Sequence, residues 1–205
     1  MIAGIALGVV AAVAMALRRR QERSILEAWA GRHGWQMEPS ATELTRLLSC
    51  SSLMKIGHSR RFSAIAADPQ GVRLFEYACE TGFEHDREQH RWFGAIVPVD
   101  HRHSHTVFTH EPWVVAVAMK PSYELIPSGN GVDAGEHRTG VMLAEDPVEW
   151  KDLPATELGK RLGKESSNRS WEVLPGCLLC FEPVPGDESQ VSELASAAKE
   201  IARLL

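Results

Sequence analysis

The sequence is short of basic charge, of cysteine and of any complete catalytic signature, and each shortage excludes something. It carries 22 Lys and Arg against 27 Asp and Glu, a formal net charge of −5. The first twenty residues hold three arginines and no acid, so the rest balances 19 basic against 27 acidic residues, or −8. Nucleic-acid binding needs a basic face that neutralises phosphates, and an acidic chain argues against a nucleic-acid partner. Four cysteines, Cys50, Cys79, Cys177 and Cys180, lie in sequence that otherwise reads as ordinary core or strand. They fit reduced, buried thiols in a reducing compartment.

The familiar catalytic motifs are missing as well. There is no G-x-S-x-G nucleophile elbow. The stretch Gly159 to Ser166 has one residue too few between its glycines for a phosphate loop, and no hydroxyl directly after the lysine. Gly129 to Gly135 is off by one from the dinucleotide fingerprint and opens no helix. Cys177-Leu178-Leu179-Cys180 has C-x-x-C spacing, but on a strand residues three apart point to opposite faces, which makes both cysteines core. Cys50 follows Leu47 and Leu48 and reads as packing. The acids Glu76, Glu80, Glu84 and Asp86 read as an ordinary strand edge. No catalytic residue and no cofactor-binding residue is predicted.

What is present begins at the amino terminus. From Ile2 to Leu17 no side chain is charged or strongly polar. A helix of about 17 residues spans roughly 26 Å, the lower limit for a hydrocarbon core about 30 Å thick. Ala14-Met15-Ala16 resembles a signal-peptide cleavage site, the competing reading. A signal peptide, however, has its positive charge before the apolar run, and here Arg18, Arg19 and Arg20 come after it. Arginines beside a span stay in the cytoplasm, so the expectation is an uncleaved anchor in a bacterial inner membrane, amino terminus outside and the remaining chain on the cytoplasmic side. Arg18, Arg19, Arg20 and Arg23 then sit at the membrane interface among lipid headgroups. The expected organisation is residues 1–20 as a transmembrane anchor and 21–205 as one soluble domain.

The rest predicts an α+β domain with a mostly antiparallel sheet packed by helices. Ile25, Leu26 and Trp29 at helical spacing predict one long helix leaving the membrane and ending near Gly34. Ser40 with Glu43 matches a capping box ahead of Leu44, Leu47 and Leu48. Asp68-Pro69-Gln70-Gly71 predicts a turn between strands at 61–67 and 72–79, and Pro175-Gly176 one between 170–174 and 177–181. Two further strands, Arg91 to Val99 and Thr106 to Met119 with an interruption at Pro112, are apolar on both faces over Trp92 to Val97 and Trp113 to Ala118 and predict the centre of the sheet. Residues 120–140 read as a loop and 154–164 as a helix. Val191, Leu194, Ala198, Ile201 and Leu205 give the last helix its stripe, with Asp187 as cap.

Six of the nine histidines fall between 85 and 110. On a strand, His101, His103 and His105 would share one face, a geometry that can hold zinc or copper through imidazole nitrogens, with Glu84, Asp86 or His110 completing the set. The competing reading is a solvent-exposed strand edge. The segments LFEYACETG (Leu74 to Gly82), HTV (His105 to Val107) and SWEVLPGCLLCFE (Ser170 to Glu182) resemble those of uncharacterised bacterial single-pass membrane proteins. The resemblance covers Phe62 to Glu182 and implies an amino-terminal transmembrane helix with a cytoplasmic-side α+β domain, and no activity. The expected function is therefore a non-enzymatic, membrane-anchored protein-binding domain. Its expected partners are membrane lipids through residues 1–20 and subunits of a larger inner-membrane complex, for example energy-transducing, respiratory or photosynthetic. The alternative is a metal-binding enzyme or sensor built on the histidine segment 85–110.

Overall fold

The computed structural model describes residues 24–100, 103–109, 111, 114, 124–126, 141–153, 156–165 and 169–205. The expected anchor Met1–Arg20, with Arg23, lies outside the described residues. Among the described residues no helix is long and apolar enough to cross a membrane.

The first helix, α1 (Ile25–His33), starts at a cap. Ser24 has φ −47° and ψ 132°, and its hydroxyl accepts from the Glu27 N–H at 3.4 Å. An extended ψ at Ser24 makes it the cap of a helix that starts at Ile25, and the part of the expected long helix before Ser24 lies outside the described residues. Gly34, left-handed at φ 72°, closes the other end. In α2 (Thr42–Leu47) the capping box also fails to form. Ala41 is the cap, without a side-chain bond, because Glu43 is taken by Arg73 at 2.9 Å. Ser40 instead accepts from the Thr42 N–H at 3.3 Å.

The strands are β1 (Gln36–Met37), β2 (His58–Ala67), β3 (Arg73–Thr81), β4 (Glu88–Pro98), β5 (Thr106–Thr109), β6 (Glu124–Ile126), β7 (Val141–Ala144), β8 (Ser170–Leu174) and β9 (Cys177–Pro183). They form one nine-stranded sheet in the order β1-β2-β3-β4-β9-β8-β5-β7-β6, every pairing antiparallel. Both expected hairpins are there. In the first, Asp68 Oδ1 accepts from the N–H groups of Gln70 and Val72 at 2.9 Å, and Gly71 takes φ 84°. The centre of the sheet differs in part from expectation: β9 lies between β4 and β8, with Ala95 facing Cys180. Of the strand expected from Thr106 to Met119, β5 covers Thr106–Thr109; beyond it Glu111 and Val114 are described, where the Val114 N–H donates to Glu111 O at 3.0 Å, a turn contact, and the other residues to Met119 lie outside the described residues.

Strand alternation then divides the core in two. On one face Leu74, Phe93, Ala95, Trp171 and Cys180 pack under α1, α4 (Glu157–Glu165) and α5 (Glu188–Ala202). The short helix α3 (Pro147–Trp150) adds Trp150 to this layer. In α5, Val191, Leu194, Ala198 and Ile201 have no exposure, and burying each larger side chain contributes about 2 kcal/mol. Asp187 caps the helix, accepting from the Ser189 and Gln190 N–H groups at 2.9 and 3.2 Å. On the other face Phe75, Tyr77, Ile96, Leu174 and Leu179 pack against Leu44, Leu48, Leu53 and Ile56, which α2 and the following 3-10 turn (Leu53–Lys55) supply. The result is an α+β fold, an antiparallel sheet packed by helices.

Candidate functional site

Among the described residues, the second face of the sheet holds a constellation of buried polar side chains that joins three separate segments. Glu172 sits mid-strand in β8 between Trp171 and Val173, so alternation turns it to the face opposite those two. It has no solvent exposure. Both its oxygens accept from the Ser52 backbone N–H, at 3.1 and 3.0 Å, and Oε1 also accepts from the Ser52 hydroxyl. His105 donates its Nε2 proton to Oε2 at 3.0 Å and is 4% exposed. Ser52 is positioned by the turn after α2, where the Ser51 hydroxyl bonds Leu48 O at 2.8 Å. His105 comes from the residue before β5. Two residue pairs along the same strands, Thr109 and Ser170 share a buried hydroxyl bond of 2.7 Å.

Serine, histidine and a carboxylate suggest nucleophilic catalysis, but the connections run in another order. A catalytic triad needs the imidazole between the hydroxyl and the acid, so that the ring takes the serine proton. Here the carboxylate is in the middle and accepts from both. The arrangement supplies charge-assisted hydrogen bonds that fasten the Ser51–Ile56 segment and the start of β5 to the sheet.

A second buried carboxylate does the same for α1. Glu76 of β3, 5% exposed, accepts from the hydroxyls of Ser24 and Ser63, the latter at 3.1 Å, with Arg91 at 3.8 Å. At the far end of the molecule Glu149 accepts from the Ser104 hydroxyl and N–H, at 2.6 and 3.0 Å, and from His103 Nδ1 at 2.6 Å. Burial opposes ionisation of this carboxyl, but the Ser104 bonds and then His103 prevail and hold it below its ordinary value.

The histidines expected to share a strand face are thus directed to different partners. His103 binds Glu149 and approaches Leu205 O at 3.4 Å, and His105 binds Glu172. Both precede the first residue of β5, and His101 and His110 lie outside the described residues. Among the described residues no group of three or more His, Cys, Asp or Glu side chains is placed to hold a metal ion. Arg18, Arg19, Arg20 and Arg23 also lie outside the described residues.

Of the expected carboxylate group, Glu80 pairs with Arg87 at 3.4 Å and lies 3.9 Å from His58, while Glu76 turns inward. Cys177 and Cys180 point to opposite faces, as strand spacing requires. Burial pushes the Cys177 thiol up to about 12, with smaller contributions from Cys50 and Glu172, and pushes Cys180 well above its ordinary value. A thiol so raised is neither a nucleophile nor a ready metal ligand. Among the described residues there are also recesses. One of about 240 Å³ is lined by His90, Arg91, Glu111, Ser170 and Glu182. Another, about 360 Å³, has as its wall Arg169, which bonds Glu182 at 2.6 Å and Glu165 at 2.8 Å. A third, about 500 Å³, is lined by Glu38, Ser40, Glu43 and Arg46.

Glu172 and Ser52 carried one signal in the sequence. An acid centred in SWEVL and followed by the apolar CLLCF is out of place in a strand buried on both faces, and such a group must have partners. Its partner 120 residues away had none.

No protein-family model and no curated protein sequence matches this chain. Among solved structures, the chain is similar in fold to the crystal structure of the mycobacterial trehalose monomycolate transport factor A, TtfA, with a TM-score of 0.61 and 13% sequence identity over 90% of this chain and 96% of that one.

Proposed function

We propose that this chain is a non-enzymatic, membrane-anchored protein-binding domain, an accessory subunit of a larger inner-membrane complex, with its amino terminus outside and its domain on the cytoplasmic side. The observation that carries the reading is the apolar run Ile2 to Leu17 with Arg18, Arg19 and Arg20 directly behind it. It is supported by the way the domain begins. Ser24, seven residues past the run, is bonded to the buried Glu76, so the chain from the anchor meets the sheet at a fixed point. The buried polar side chains Glu172, Ser52, His105 and Glu76 are occupied in fastening segments to the sheet.

TtfA, similar in fold, is by its name a mycobacterial trehalose monomycolate transport factor, and a complex that transports a glycolipid is among those this reading covers. The test is purification of the full chain from native membranes in mild detergent. Stoichiometric co-purification of integral membrane proteins is expected, and a homogeneous monomer with nothing attached would refute the reading.

A further inference from the structure

The tip of the β3–β4 hairpin holds the most exposed large apolar side chain of the described residues. Phe83 is 78% exposed. A single exposed phenylalanine is ordinary in itself, but this one is braced from below. The His58 ring stacks on it at 5.2 Å with the planes 22° apart, and His58 Nε2 donates to Gly82 O at 2.9 Å. Phe83 O in turn accepts from the Asp86 N–H at 3.2 Å. Gly82 is left-handed at φ 72°, and a Cβ there would collide with the Asp86 carbonyl, so the turn has one shape. The loop fixes the ring in an outward position.

That tip lies at the end of the domain toward which α1 directs its amino terminus. Helix α1 starts at the level of Glu76 and Ser63 and ends where Gln36 pairs with Ala67, so its amino terminus points toward the hairpin end of β3. The lengths match. The seven steps from Leu17 to Ser24 span at most about 25 Å in any conformation. The six strand steps from Glu76 to Gly82 carry β3 about 20 Å in the same direction. A domain tethered this closely has its hairpin tip within reach of the bilayer surface.

The charge there permits contact. Segments 58–63 and 80–91 hold four arginines and four acids, formally neutral in a chain of −5, so this end escapes the repulsion an acidic surface meets at anionic lipid. Val148, 71% exposed, lies on α3 beside His103 and Ser104, at the opposite end of the strands.

We infer that Phe83 enters the interfacial layer of the membrane that holds the anchor, and so fixes the orientation of the domain over the bilayer. This rests on the anchor reading above. Tethering supplies a high effective concentration, so one side chain of modest affinity suffices.

The test uses the full chain in vesicles of phosphatidylethanolamine and phosphatidylglycerol doped with a phospholipid that carries a diazirine near its headgroup. Carbonate-resistant flotation of the vesicles reports the anchor, and cross-links mapped by mass spectrometry report the contact. The expected result is a floating chain with cross-links at residues 82–85 exceeding those at 147–150 by about tenfold, equivalent to about 1.4 kcal/mol. Phe83→Ser should abolish the excess without affecting flotation, and Phe83→Leu should keep it. A floating chain cross-linked equally at both ends, or a Phe83→Ser chain that retains the excess, would overturn this inference and leave the anchor standing. A chain that washes off in carbonate would overturn the anchor, and the inference with it.

Discussion

Replacing Glu172 by glutamine tests whether its carboxylate is the fastener described above. The substitution keeps the volume and the rotamer and changes only charge and donor pattern. In the native protein the carboxylate has no exposure and receives three donors: the Ser52 N–H, the Ser52 hydroxyl and His105 Nε2. An amide in its place offers one oxygen and one NH2, and the NH2 must face a donor, because the Ser52 N–H addresses both oxygens. A hydrogen bond to a charged group contributes about 1.5 to 3 kcal/mol, and removing one partner of a buried pair costs about 3 to 5 kcal/mol. The expected loss is about 3 kcal/mol.

For a domain of this size about 1 kcal/mol moves the midpoint by roughly 2–4 °C, so Tm should fall by about 10 °C. Ser52→Ala should cost only about 1 kcal/mol, since Glu172 keeps the Ser52 N–H and His105. Thermal melts of the full chain in detergent give both values. Amide exchange should quicken first at Ser52 to Ile56, the segment that Glu172 holds down. A loss below about 1 kcal/mol for Glu172→Gln, or equal losses for the two variants, would refute the assignment.

Three further outcomes follow from the packing and the titrating groups. Gly94→Ala should destabilise the domain by about 2 kcal/mol, because a Cβ at Gly94 would strike the Phe75 ring across β3; adding Phe75→Leu should restore most of the loss in the same melts. Burial raises the Cys79, Cys177 and Cys180 thiols, Cys177 to about 12, so iodoacetamide at mildly alkaline pH should modify these three only after urea unfolding; rapid labelling of any of them in the native protein would contradict their placement. The Glu149 carboxyl is held below its ordinary value, so its clasp on Ser104 and His103 stabilises the fold above the ordinary carboxylate range and is lost as pH falls through the lowered value; wild type and Glu149→Gln should therefore differ in Tm near neutral pH and converge in acid, and a constant difference would refute the linkage.

What the sequence made legible, and what it did not, divides along the length of the interactions involved. Asp68-Pro69-Gln70-Gly71 and Pro175-Gly176 specify their hairpins within four residues, and the α5 stripe from Val191 to Ile201 repeats within a single element, so all three were readable. The failures share a cause: a local signal displaced by a distant partner. Ser40 and Glu43 have capping-box spacing, yet Arg73, thirty residues on, takes the glutamate. A helix is expected to run on through Ser24, yet Glu76, fifty-two residues on, takes its hydroxyl where α1 starts. The central position of β9 depends on its register with β4, which joins Ala95 to Cys180.

The histidine segment followed the same logic. Alternate spacing placed His103 and His105 on one face, but the strand begins at Thr106, and two separate glutamates, Glu149 and Glu172, decide where the rings point. Glu172 shows the principle most sharply. Local propensity reads an acid in a strand as solvent-facing, and only the cost of an unpartnered carboxylate in a strand covered on both faces implies that something must come to meet it. What comes is the Ser51–Ile56 segment. The buried acids of this sheet therefore mark where separate parts of the chain are joined, and both Glu76 and Glu172 are joints that local periodicity alone could not have located.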